Sequence, residues 1–184
     1  MHANGNGAEK GSELMDRMEA EFEVRQLHAR YAHAIYGKDA ETVGALFTED
    51  GEWRVGGQLM KGREEIVSFL VGVFPQFSRI LMIFSTPVVD VVGDEVTSRT
   101  FVTERSQFAD GRPFSSIGIY FDRFAQVDGR LAFKWRLFQT QYSGLPDLAS
   151  PFLEVPDYGP PPAMPPLDEV TLDRSGVGGK AKGG

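Results

Sequence analysis

Cysteine is absent from the 184-residue chain. That excludes a disulfide framework, a thiolate nucleophile and any cysteine-ligated metal. Histidine is scarce: His2, His28 and His33 are too few and too scattered to make an evident metal site. No cluster of lysine and arginine occurs, and the formal net charge is -7. Nucleic acid and anionic membranes both need a basic footprint, so neither is expected as a partner. No apolar run approaches the roughly 18 residues of a membrane span. The N-terminal "MHANGNGAEKGSE" is not a charged region followed by an apolar one. The reading is a soluble cytoplasmic protein without metal or cofactor, whose partners are small molecules or other proteins. Its chemistry has to come from carboxylates, phenols, guanidiniums or one imidazole.

What is present is enough apolar residue, 41%, to bury one domain core. Residues 1–12 read as disordered, 13–143 as the folded domain. A helical period starts near Glu13 and sets Val24, Leu27, Tyr31, Ala34 and Ile35 on one apolar arc that Gly37 ends. His28 lies at the edge of this arc and His33 points away. Tyr36 is about 140° around the helix from Tyr31 at 100° per residue, off the main arc. A second helix starts at Asp39, and "EDGEWRV" is a short strand with Trp53 and Val55 on one face. "KGREEIVSFLVGVF" is a third helix that buries Ile66, Phe69, Leu70 and Val73 and stops at Pro75.

From Arg79 the pattern turns to long strands rich in branched and aromatic residues, separated by hairpin signals such as "ADGR" and "VDGR". Helices first and antiparallel strands after predict an α+β fold with one sheet curling around the helices. Eight of the eleven prolines lie between Gly144 and Pro166. Residues 144–170 are therefore expected as an extended Pro-rich arm, and 171–184 as a flexible tail.

Strand register decides which side chains meet. If "VDGR" closes as a two-residue turn, Asp122 stands opposite Trp135; a three-residue loop with a bulge sets it across from Arg136. Adjacent strand residues face opposite sides, so at most one of Glu104 and Arg105 enters a pocket, and Arg99 shares parity with Arg105.

Through "RYAHAIYGKDAETVGALFTEDGEW", "KGREEIVSFL" and "GIYFDRFAQVDGRLAFKWR" the chain resembles a cone-shaped α+β superfamily. It includes nuclear transport factor two, ketosteroid isomerase, scytalone dehydratase, hexachlorocyclohexane dehydrochlorinase and the SnoaL-type polyketide cyclases. The SnoaL-like branch is the most similar, over about residues 15–143. The resemblance implies a curved antiparallel (mixed) sheet wrapped around three N-terminal helices. It also places Tyr36 and Met82 where the dehydratase and dehydrochlorinase have an Asp-His dyad, so both halves of that dyad are missing. Val55 falls close to the aspartate base of ketosteroid isomerase, and the Asp-Arg-Asp relay of limonene epoxide hydrolase finds no placement. Four positions do match: Tyr31 the oxyanion-hole tyrosine, Asp122 the second oxyanion donor or the acid/base aspartate of the cyclases, and Arg136 and Trp53 pocket residues of the dehydrochlorinase. The register that pairs Asp122 with Arg136 agrees with this and is preferred.

The expected catalytic residues are thus Tyr31, Asp122, Arg136 and Tyr36, the last as a phenolate standing in for the missing base. Trp53, Phe84, Phe101, Tyr120, Phe138, Thr140 and His28 are expected to contact the substrate. The preferred register puts Phe133, Trp135 and Leu137 on the outer face of the sheet, where such apolar residues call for a partner and a homodimer is the simplest answer. Two functions fit. One is a cofactor-independent lyase or isomerase acting on an aromatic or polycyclic oxygenated molecule. The other is a non-catalytic binder of hydrophobic ligands or assembly domain.

Overall fold

The structure, a computed structural model, describes residues 5–171, of which 5–16 by backbone alone. Helix α1 runs Gly5–Gly37, α2 Ala40–Ala45 and α3 Arg63–Val73. The strands are β1 Phe47–Val55, β2 Gln58–Lys61, β3 Phe77–Phe84, β4 Val88–Val92, β5 Glu95–Phe108, β6 Pro113–Val127 and β7 Arg130–Gly144. They form one sheet in the order β2-β1-β7-β6-β5-β3, with β4 also on β5. Among the described residues only the β1–β7 pairing is parallel, so the sheet is mixed. The expected α+β cone is the observed fold. The helix begins at Gly5, ahead of the apolar period, because each residue added to a formed helix gains a backbone hydrogen bond. Residues 1–4 of the expected disordered start and 172–184 of the expected tail lie outside the described residues.

The helices fill the concave side of the sheet. Val24, Leu27, Tyr31 and Ile35 of α1 are buried there with Val43, Ile66 and Leu70, so the arc read from the sequence faces the core. Asp39 caps α2 by accepting the Thr42 backbone N–H at 3.0 Å. None of the described helices is long and apolar enough to cross a membrane.

The β6–β7 hairpin closes with the two-residue turn Asp128-Gly129, both residues at positive φ. A bulge further along β7 then restores the register: Phe124 faces Phe133, Arg123 faces Trp135 and Asp122 faces Arg136. The expected pairing of Asp122 with Arg136 is present, produced by a bulge within the strand and not by a three-residue loop. The same bulge corrects one expectation. Phe133 is carried to the inner face, where it packs on Phe47 and Phe124, with ring centroids 5.1 and 5.5 Å away.

Trp135 and Leu137 do face outward, together with Phe121, but the chain covers them itself. The Pro-rich arm lays Tyr158 and Met164 over this cluster. An extended proline-rich segment has no ladder partners, so its carbonyls need donors from elsewhere. The sheet supplies them: Arg99 to Gly159 O at 2.7 Å, Trp135 Nε1 to Leu167 O at 3.0 Å, and Gln139 Nε2 to Val170 O at 3.1 Å. The reason for expecting a partner at Phe133, Trp135 and Leu137 therefore falls away. Ending the chain after Val155 should uncover Phe121, Trp135 and Leu137. The truncated protein is expected to self-associate on size exclusion and to melt at a lower temperature than the full chain.

Candidate active site

A cavity of about 580 Å³ opens between α1, α3 and the concave sheet. Its walls are apolar and aromatic, with Trp53, Phe69, Phe77, Phe108, Phe114 and Phe138 among them. The ionisable groups that line it are two phenols, Tyr31 and Tyr120, and one carboxylate, Glu104. The size suits a ligand of two or three rings.

Tyr31 reaches the cavity because the α1 arc points it at the sheet, where Tyr120 of β6 meets it with the two hydroxyls 3.5 Å apart. Burial drives the Tyr31 phenol well above its ordinary range, and neighbouring Tyr120 adds to this. Arg136 opposes the rise without reversing it. Tyr31 is therefore a protonated hydrogen-bond donor, not a base. Phe138 joins the wall by lying over Gly118, where a Cβ would stand 2.6 Å from its Cζ.

Behind the phenols lies a buried charge cluster. Arg136 and Asp122 are both fully buried, with Arg136 Nε 3.4 Å from Asp122 Oδ1. Among the described residues the Arg136 guanidinium has no hydrogen-bond partner. Its charge is met by ring faces instead: the guanidinium carbon is 3.7 Å from the Tyr120 centroid and 4.2 Å from those of Tyr31 and Phe133. The other oxygen of Asp122 is held by His28 Nε2 at 2.9 Å. Burial pulls His28 below its ordinary value of 6.5 although Asp122 pulls it up. The imidazole is neutral, Nε2–H donates to the carboxylate, and its ring stacks on Phe84 at 5.1 Å.

The sign of this shift fixes a pH effect. The unfolded chain binds the His28 proton first, so stability contributed at neutral pH is lost as pH falls below about 6.5. Asp122 and Arg136 are the charged groups that face the ring. His28→Gln keeps a donor for Asp122 and should flatten the decline, as measured by urea denaturation of both proteins at pH 7 and pH 5.5.

The expected site residues are distributed as follows. Tyr31, Trp53, Tyr120 and Phe138 line the cavity. Asp122, Arg136 and Thr140 are buried on the inner face but do not line it. Phe84 and His28 line a second, smaller hollow of about 350 Å³, which Met82 separates from the first. Two expectations are corrected. Tyr36 is 66% exposed, because it lies off the buried arc and turns to solvent in the last turn of α1. Phe101 is 55% exposed, because the inward parity on β5 belongs to Thr100 and Val102. That parity carries on to Glu104, so of the neighbours Glu104 and Arg105 it is Glu104 that lines the cavity. Its neighbour on the outer face, Arg105, is exposed.

The family model of the SnoaL-like domain matches residues 16–139. No curated protein matches the chain. Among solved structures it is similar to LinA, at 20% identity and TM-score 0.67 over 77% of this chain and 98% of that one. The hexachlorocyclohexane dehydrochlorinase LinA-type3 of Novosphingobium barchaimii is 17% identical, with TM-score 0.65 over 77% of this chain and 99% of the other. A Novosphingobium aromaticivorans protein provisionally called a scytalone dehydratase is 22% identical, with TM-score 0.65 over 88% and 99%. At these identities the likeness is one of fold.

Proposed function

The chain belongs to the SnoaL-like domain family, and on that premise we propose that it is a lyase or isomerase that works without a cofactor on hydrophobic, oxygenated aromatic or polycyclic molecules. One observation carries the reading: an aromatic cavity lined by two phenols whose hydroxyls lie 3.5 Å apart, backed by a buried guanidinium. Both hydroxyls can converge on one ligand oxygen. The cation over the ring faces favours negative charge on that oxygen, and the low-polarity surroundings strengthen the effect. Such a site stabilises an enolate, a phenolate or a departing oxygen, the species that arise in dehydration, retro-aldol cleavage and double-bond shifts. The solved relatives named as a dehydrochlorinase and, provisionally, a dehydratase carry out eliminations by name, which supports this class of reaction.

In this reading the aromatics hold the ligand rings and Tyr31 with Tyr120 hold the oxygen on which charge develops. Asp122 and His28 act indirectly, fixing Arg136 in place. The test is to incubate dialysed, chelator-treated protein with a panel of hydroxylated aryl ketones and polycyclic alcohols and to follow ultraviolet spectra. Turnover that survives chelation is expected. Turnover abolished by the chelator would contradict the cofactor-free reading, and tight retention of unreacted ligand across the panel would move the function to ligand binding.

A further inference from the structure

The phenols hold an oxygen, but proton transfer also needs an acceptor, and the Tyr31 phenol, raised well above its ordinary range by burial, is not one. Glu104 is the carboxylate in the cavity wall. It projects from β5 on the same face as Val102, directly across from Met82 of β3. Ser106 Oγ, itself buried, donates to Glu104 Oε1 at 2.6 Å. Among the described residues no cation forms an ion pair with it. The carboxylate is thus oriented by one hydroxyl and left with its second oxygen for a ligand, an arrangement that suits a general base.

Its distance from the phenols restricts what the ligand can be. Tyr120 pairs with Thr100, four residues along β5 from Glu104. At about 3.3 Å per residue those rungs are roughly 13 Å apart. Measured along the strand, that span matches an aromatic or conjugated skeleton better than a single small group.

We propose that Glu104 is the proton acceptor of this cavity, and that the ligand carries an acidic O–H at the Glu104 end of a flat conjugated skeleton whose far oxygen sits on Tyr31 and Tyr120. In the step, the O–H bond breaks and its proton goes to the carboxylate. The electron pair left on the ligand oxygen delocalises through the skeleton, and the negative charge comes to rest on the far carbonyl oxygen between the phenols. Ligand and Glu104 exchange one proton and one charge, and nothing else is consumed. The proposal rests on the preceding reading of the cavity but adds an end to it.

Calorimetric titration with a matched pair, a para-hydroxyaryl ketone of two rings and its O-methyl ether, tests it on the full chain. The methyl ether lacks only the acidic proton. The wild-type protein is expected to bind the phenolic ketone about tenfold more tightly, and Glu104→Gln to bind the two equally. Tyr31→Phe should weaken both, the phenolic ketone by the larger factor, because only that ligand brings charge to the far oxygen. A preference that persists in Glu104→Gln, or a wild type that binds both ketones equally, would overturn the role of Glu104 while leaving the cavity as the ligand site. Binding of neither ketone would overturn both readings. Far-ultraviolet circular dichroism shows whether each variant is folded, and Glu104→Asp, expected to keep part of the preference, replaces Glu104→Gln if that variant does not fold.

Discussion

Arg136→Ala is expected to destabilise the protein by about 3–5 kcal/mol, the cost of breaking a buried ion pair by removing one partner. Asp122 would then be left fully buried beside a neutral His28, and four aromatic rings would lose the cation they enclose. Asp122→Ala should be as damaging, since the guanidinium has no other charge to meet among the described residues. The diagnostic variant is the double replacement Asp122→Leu with Arg136→Met, which removes both charges and refills the space. Replacing a whole buried pair by apolar groups of similar volume is often neutral. Urea denaturation should therefore place the double variant closer to the wild type than either single one. If the singles cost less than about 1 kcal/mol, the pair is not as dry as its burial implies.

The second large effect is on catalysis. Tyr31→Phe should lower kcat by about 10²–10³-fold, the usual loss when one oxyanion donor is removed. KM should change much less, because the hydroxyl matters most once charge has developed on the ligand oxygen. The fold should be little affected, for the described contact of that hydroxyl is with Tyr120 alone. Tyr36→Phe is the control, since an exposed phenol outside the cavity should leave kcat unchanged. Rate assays on the substrate found by the spectral screen measure both.

These two predictions draw on parts of the molecule that were legible in the sequence to different degrees. The α1 arc, the Trp53 strand and the long hairpins were readable because helical and strand periods are local, and each period was satisfied in the fold. The pairing of Asp122 with Arg136 was also readable, but by the wrong route. The type of turn is written in Asp128-Gly129, whereas the bulge at Lys134 depends on how Phe133 packs against the helices, which no local pattern records. That one residue decided whether Phe133 faced the core or the outside. Phe101 is hard to place from the sequence because a strand with apolar residues of both parities, Phe101 and Val102, does not announce its inner face.

Contacts between distant segments were the least legible. His28 and Asp122 are 94 positions apart, and only the wrapped sheet brings them to 2.9 Å. The prolines marked the arm as extended, yet its seat on Phe121, Trp135 and Leu137 is fixed by side-chain donors from β5, β6 and β7 reaching its carbonyls. Glu104 could have been found from the sequence by following the parity of Val102 two residues further, had the inner face of β5 been known.

The chemistry of the cavity depends on where a ligand oxygen comes to rest. A crystal structure of the protein with a bound hydroxylated aryl ketone measures this. The predicted result is a carbonyl oxygen within hydrogen-bond distance of both the Tyr31 and Tyr120 hydroxyls, with the rings between Trp53 and Phe138. A ligand seated in the smaller hollow beside His28, or one whose oxygen points to the mouth and away from both phenols, would contradict it.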